Sequence, residues 1–393
     1  MNIEKRQFAL RTLLYYIAYA GLGLSIGVFG PSLLRLAENT GTTIAQVSTM
    51  FFFHSLGYML GSLIGGRSYD RIAGNPVLSL MLVCMAVTLA VVPFVNMLWV
   101  LIVVVLLLGM AQGSLDVGGN TLLLWTYGNE VGPYMNGLHL FFGVGAFLAP
   151  VLVAQSIRIG DDLNLAYWGM AGLMLIPAVG LLFLGSPSQS DEADDLANAG
   201  GRSNVLLVGM VAAFLLFYIG MEHGITGWIS TYATTTNLLD EISAAYATSL
   251  FWGTFTLGRV LSIPIAIRLR PRHVLTIDLL GCFASIMILL LWPGSAAALR
   301  ISLAGAGFFA APLFPTIITF AENRMRLSGK TTSLFFVGAS IGGMFFPWLI
   351  GQCYAGVGPR MVPITIAASA ALLVLLFTVL VKRYPGKVQA IRK

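Results

Sequence analysis

Twelve apolar stretches, each near the length needed to cross a lipid bilayer, take up most of this sequence. A spanning helix needs about 20 largely apolar residues. That criterion predicts spans at about 11–36, 44–66, 76–94, 97–127, 132–156, 163–185, 204–234, 243–266, 273–293, 298–322, 330–354 and 360–382. The chain is 57% hydrophobic and only 10% charged. Its mean hydropathy is +0.86. Soluble domains carry about 25% charged residues, so an ordinary water-soluble core would not absorb this sequence. The expected fold class is an all-α membrane protein with the lipid bilayer as its solvent.

Most connections between spans are very short. The exception is the acidic stretch SPSQSDEADDLANAGGRS at 186–203, which reads as a flexible linker. It lies near the midpoint and prompts a search for a repeat. A shift of 197 residues aligns Gly23, Gly27 and Gly30 with Gly220, Gly224 and Gly227. The same shift aligns Gly145, Pro150 and Gln155 with Gly342, Pro347 and Gln352. The expected organisation is therefore a six-helix bundle at 1–185, a cytoplasmic linker at 186–203 and a second six-helix bundle at 204–393. Parallel six-helix halves are an architecture of secondary transporters. Lys and Arg set the orientation. With both termini inside, seventeen of the 22 fall in inside segments, and only Arg35, Arg158, Arg300 and Arg360 fall outside. The expected location is the plasma (inner) membrane, with both termini cytoplasmic.

Other classes are set aside by what the chain lacks. The net charge of +6 is spread over short inter-helix segments rather than gathered on one face, which argues against a nucleic-acid partner. Cys84, Cys282 and Cys353 lie far apart in apolar sequence and suit packing, with no metal or disulfide pattern. The basic N-terminus runs into an apolar segment that continues through Gly23, Gly27, Gly30 and Pro31, so it reads as a retained helix, not a cleaved signal. No P-loop or HExxH occurs, and Gly-rich pieces such as GVFGPS lie within spans and lack a strand–turn–helix context, so neither an enzyme nor a cofactor is expected.

Charges at membrane depth carry the functional information. A charged side chain at mid-membrane costs about 2.5–3.5 kcal/mol on insertion scales and marks a substrate or ion path. Asp116 is the clearest case. Gln112, Asp116 and Asn120 are spaced i, i+4, i+8 and share one helical face. A carboxylate flanked by amides can bind a cation, Na⁺ among them, or take up a proton. Asn136, His139 and Gly143 share a face of the fifth span, beside Phe141 and Phe142. Glu222, with Tyr218 and Thr226, makes a second polar stripe, and His223 points away from it. Trp252, Thr256 and Arg259 follow one another on the eighth span. Arg259 needs an anionic partner at this depth, and Asp116 and Glu222 are the candidates. Pro312 and Pro315 are expected to break the tenth span, which is tolerated where backbone lines a cavity.

The loop GGRSYDRIAGNP between the second and third spans resembles the loop signature of the major facilitator superfamily, with Gly66, Asp70 and Arg71 in place. The stretches LDVGGNTLLLW (115–125), LHLFFGVGAFLAP (138–150), SLFWGTFTLGR (249–259) and FFVGASIGGMFFPWLIG (335–351) resemble the sodium-dependent glucose transporter 1 group, and fucose permease more distantly. This resemblance implies a twelve-helix major facilitator fold that carries a hexose-like sugar by alternating access. It implies cation coupling at Asp116, with Asn120, His139, Glu222 and Trp252 at matching positions. Phe142 stands where fucose permease has an Asn. Asp70 and Arg71 would form a charge clamp that shifts as the halves rock.

The residues themselves suit such a cargo. Amides, carboxylates and hydroxyls match a ring of sugar hydroxyls, and an aromatic face matches its CH surface. Gln112, Asn120, Asn136, His139, Phe142, Glu222 and Trp252 are therefore the expected substrate-binding residues. Asp116, Glu222 and Arg259 are the expected cation-coupling residues, for H⁺ or Na⁺. The expected protein is a monomeric sugar symporter. The alternatives are an efflux antiporter for amphipathic molecules, whose fifth-span signature does not fit around Ala149-Pro150-Val151, and a non-transporting membrane sensor.

Overall fold

The computed structural model describes residues 3–187, 204–325 and 329–385. Most of the expected linker, 188–203, lies outside the described residues. Its first residue is docked: Ser186 Oγ accepts from the Asn75 amide at 3.0 Å, and Asn75 Nδ2 donates to Leu184 O at 3.0 Å.

Among the described residues, twelve helices are long and apolar enough to cross a membrane. Spans 1 to 6 are Arg6–Gly27, Ile44–Tyr69, Gly74–Phe94, Leu98–Glu130, Gly132–Gly160 and Asn164–Leu182. Spans 7 to 12 are Val205–Thr235, Glu241–Arg268, Pro271–Leu291, Ala296–Glu322, Thr331–Val357 and Met361–Arg383. The expected first span ran to residue 36. The helix instead breaks at Val28, and a separate helix, Phe29–Thr40, follows. Pro31 explains the break, because it has no N–H for the Gly27 carbonyl and its ring crowds that carbonyl. The tenth span breaks as its prolines require, into Ala296–Ala310 and Leu313–Glu322.

Packing follows the sequence repeat. Span 1 packs on spans 5 and 6, span 2 on span 4, and span 3 on spans 4 and 6. Span 7 packs on spans 11 and 12, span 8 on span 10, and span 9 on spans 10 and 12. Adding six to each number in the first set gives the second. Across the midpoint, span 5 meets span 8 and span 11 meets span 2, which is again an equivalent pair.

Small residues explain the closeness of the equivalent pairs. A Cβ on Gly145 would run into the Ala20 carbonyl of span 1, and one on Gly342 would run into the Leu216 carbonyl of span 7. Backbones approach this closely only where a side chain is missing, as is common between membrane helices. Leu80 and Val87 of span 3 and Leu375 and Val379 of span 12 are exposed apolar side chains, as expected for lipid-facing scaffold.

Candidate functional site

The polar residues on spans 4, 7 and 8 that the sequence singles out fall into two groups that differ in one respect: the first is tied up in internal hydrogen bonds and the second is not. The first is built where span 4 lies against span 2 backbone to backbone. A Cβ on Gly113 would meet the Tyr58 carbonyl, and one on Gly61 would meet the Met110 carbonyl. This contact brings Tyr58 and His54, one turn apart on span 2, onto the Gln112–Asn120 face of span 4.

Asp116 is held by two tyrosines. Tyr58 donates to Asp116 Oδ2 at 2.7 Å. The Tyr19 hydroxyl lies 2.9 Å from Oδ1 and 2.6 Å from the Asp116 carbonyl. Asn120 Nδ2 donates to the Tyr19 oxygen at 2.7 Å and reaches Asp116 Oδ1 at 3.2 Å. The carboxylate is thus stabilised by charge-assisted hydrogen bonds. His139 of span 5 stands edge-on to Tyr19, with ring centroids 6.0 Å apart.

Gln112 shares a helical face with Asp116 but belongs to a different chain of bonds. His54 Nε2 donates to Gln112 Oε1 at 2.6 Å, Gln112 Nε2 donates to Ser25 Oγ at 2.8 Å, and Ser25 donates to Leu22 O at 2.8 Å. Gln112 is 0% exposed. Its amide is bonded through both its oxygen and its nitrogen inside the first six spans and has no exposed surface, so the expected contact between Gln112 and substrate is not available in this arrangement.

The second group lies on spans 7 and 8. Tyr218 and Glu222 are one turn apart and buried. The Tyr218 hydroxyl lies beside Glu222 but makes no hydrogen bond of ordinary geometry. Trp252 Nε1 and Arg259 Nε, on one face of span 8, are also buried without a partner. The expected ion pair of Arg259 with Asp116 or Glu222 is not formed. Among the described residues the salt bridges are those of Arg35. Arg259 lies within Coulombic reach of Glu222 and His139, and its guanidinium sits 4.8 Å from the centre of the Phe255 ring. That ring contact is the favourable interaction the structure gives it.

The two groups meet through span 5. Phe142 stands edge-on to Trp252, with centroids 6.0 Å apart, and a Cβ on Gly143 would strike Thr256. His139, Phe142, Trp252 and Arg259 therefore form one wall between the halves. Asn136 is exposed one turn beyond His139 and is not drawn into this wall. Asp70 and Arg71 are exposed after span 2 and form no ion pair among the described residues. A cavity of about 450 Å³ opens at the end of the molecule where span 1 begins, with Thr12, Tyr16, Tyr127 and Tyr134 in its lining.

Sequence reasoning missed His54, Ser25, Tyr19 and Tyr58. His54 and Tyr58 carried a usable signal, since their i, i+4 spacing matches that of Gln112 and Asp116. Tyr19 carried none, because an aromatic residue in an apolar span reads as packing.

A bundle of twelve spans with buried carboxylates and orphaned donors between two equivalent sets of helices is the build of a secondary membrane transporter. The chain belongs to the major facilitator superfamily, whose family model matches residues 15–347. It is 31% identical over 372 residues to sodium-dependent glucose transporter 1A of Mus musculus, covering 86% of this chain and 88% of that protein. It is 31% identical over 371 residues to sodium-dependent glucose transporter 1 of Homo sapiens, covering 85% of this chain and 71% of that protein. In fold it is similar to the nucleoside transporter NupG, with a TM-score of 0.75, 15% identity, and coverage of 95% of this chain and 99% of that one. The protein is thus an integral, multi-pass transporter of this superfamily, related to the sodium-dependent glucose transporters.

Proposed function

We propose that this protein moves a hexose-like sugar across the membrane by alternating access, in symport with H⁺ or Na⁺. The observation that carries the reading is the set of orphaned donors: Tyr218 Oη and Arg259 Nε, which lie near Glu222, and Trp252 Nε1, on the same helix as Arg259. A buried polar atom without a partner costs about 1–3 kcal/mol. A cargo that brings several acceptor oxygens and a donor for Glu222 would relieve that cost, and a pyranose brings both. The Trp252 and Phe142 rings offer an apolar face for its CH surface. The relatives named as sodium-dependent glucose transporters support the same cargo class and a coupling cation.

Asp116 is the coupling residue in this reading. It faces two hydroxyls and an amide, with no Arg or Lys paired to it among the described residues, so its charge is left for a small cation to neutralise. Residues 1–185 and 204–393 act as the two rocking halves, with 186–203 as the linker between them. Asp70 and Arg71 clamp when the end that carries them closes. The protein works as a monomer in the plasma (inner) membrane, with both termini in the cytoplasm.

Thermal unfolding of the purified protein against a panel of hexoses, with Na⁺ and pH varied, tests the reading. A ligand that binds the folded state raises its apparent stability. A hexose should raise Tm, and more so with the coupling cation present. A panel with no shift, together with no hexose uptake into liposomes, would refute the sugar assignment.

A further inference from the structure

Among the described residues Arg35 is the cation held in salt bridges, and the sugar reading makes no use of it. It sits on the helix Phe29–Thr40, at the end of the bundle where span 1 finishes. Its Nε donates to Glu241 Oε1 at 2.9 Å and its Nη2 to Glu241 Oε2 at 2.8 Å. The same guanidinium donates to Asp161 Oδ1 at 2.7 Å and to the Asp161 carbonyl at 2.8 Å. Glu241 opens span 8, in the second set of helices, whereas Asp161 ends span 5, in the first. One side chain therefore fastens the two sets together with a two-pronged grip on Glu241. Arg35 and Glu241 are only 21% and 25% exposed, so solvent screens this pair less than a free surface pair.

Other links across the midpoint lie at the same end. Gln155 donates to the Tyr246 hydroxyl, and Gln352 Nε2 donates to Ala45 O at 3.0 Å. Gln155 and Gln352 are the repeat-related pair found by the 197-residue shift. Gly30, five residues before Arg35, lies so close to span 7 that a Cβ there would strike the Thr226 carbonyl. Thr226 Oγ1 in turn donates to the Glu222 carbonyl at 3.0 Å. The closed end thus reaches to within one turn of the candidate substrate group. The cavity of about 450 Å³ is at the opposite end.

We infer that Arg35 is the latch of the gate at this end: its grip on Glu241 holds that entrance shut, and releasing it lets the halves part around Glu222 and Trp252. The inference rests on alternating access, not on the identity of the cargo. The Asp161 arm keeps Arg35 positioned on the first half while Glu241 moves away, so the latch can re-engage.

The test is a distance measurement that needs no sugar. In a background with Cys84, Cys282 and Cys353 replaced by serine, spin labels at Glu38→Cys and Ala355→Cys report the width of this end in liposomes. Both positions are exposed. Arg35→Ala should raise the long-distance fraction about tenfold relative to the short one, the shift a lost two-pronged ion pair gives. Glu241→Gln should do the same, and Gly30→Ala should do so by wedging. The swap Arg35→Glu with Glu241→Arg should restore the short distance. Should Arg35→Ala fail to assemble, Glu241→Gln alone decides. Unchanged distances in the variants that assemble would overturn the latch and leave the sugar reading intact. Absence of hexose binding to the unsubstituted protein, with the distance shift present in the variants, would do the reverse.

Discussion

Tyr58 donates its hydroxyl hydrogen to Asp116 Oδ2 at 2.7 Å, while Tyr19 occupies Oδ1 at 2.9 Å. A half-buried carboxylate at membrane depth is thus stabilised by phenols rather than by a cationic side chain. Each donor occupies a carboxylate oxygen that a bound cation would also need, so each one competes with cation binding. Removing a hydrogen bond to a charged group costs about 1.5–3 kcal/mol. Tyr58→Phe should therefore lower the half-saturating cation concentration for uptake about tenfold, read from uptake against pH and against Na⁺. An unaltered cation dependence would detach Asp116 from coupling.

Asp116→Asn should abolish uphill accumulation while sparing exchange of cargo down its gradient. The amide keeps the shape and the contacts with Tyr19 and Asn120 but carries no charge to neutralise. Concentrative uptake into energised vesicles is the measurement. Normal accumulation in this variant would remove the coupling role.

Gln112 is expected to behave as a structural residue. Gln112→Leu strands His54 and Ser25, each of which has lost a buried partner. The cost is about 1–3 kcal/mol, seen as a lower Tm. The half-saturating sugar concentration should be unchanged in the protein that folds. A normal Tm with weakened sugar binding would put Gln112 in contact with the cargo after all.

Tyr218→Phe and Trp252→Phe should give the opposite pattern. Each removes a donor that has no partner in this structure, so stability should hold or rise for Tyr218→Phe, while Trp252→Phe also empties part of a buried ring site and should lose some stability. Sugar affinity should fall about 3- to 10-fold per donor, since one hydrogen bond is worth about 0.5–1.5 kcal/mol. Titration of hexose binding to the purified variants decides it.

Gly145→Leu and Gly342→Leu should each destabilise the protein by more than about 3 kcal/mol or prevent its assembly, because backbone carbonyls fill the space. Gly172→Leu is the control, since nothing lies within 4 Å of a Cβ there. Comparable yields of all three in membranes would contradict the packing account.

Much of this architecture was legible in the residues. Twelve spans follow from apolar length alone, and the 197-residue repeat matches the equivalence of the span 1–span 5 and span 7–span 11 contacts. Pro312 and Pro315 foretold the broken tenth span. Pro31 was read as lying within the first span, although its missing N–H separates the two helices there. At the site, Asp116, His139, Glu222 and Trp252 were visible because a polar group in hydrocarbon stands out in the sequence. Tyr19 was not, because a phenol is at home in both a core and a polar network, and Tyr58 showed only through its spacing from His54.

The sequence by itself determined that the chain is a helical membrane protein with a repeated plan and a few charges at depth. These follow from solvent and covalent chemistry, since hydrocarbon accepts long apolar helices and penalises charge wherever it falls. Only the tertiary structure decided which polar atoms find partners. Gln112 and Asp116, one turn apart on the same face, belong to separate networks because residues of spans 1 and 2 reach them differently. Arg259 keeps no anion, while Arg35 grips two. Helical periodicity fixes the direction in which a side chain leaves its own helix, but the group it meets belongs to another helix, and only packing brings the two together.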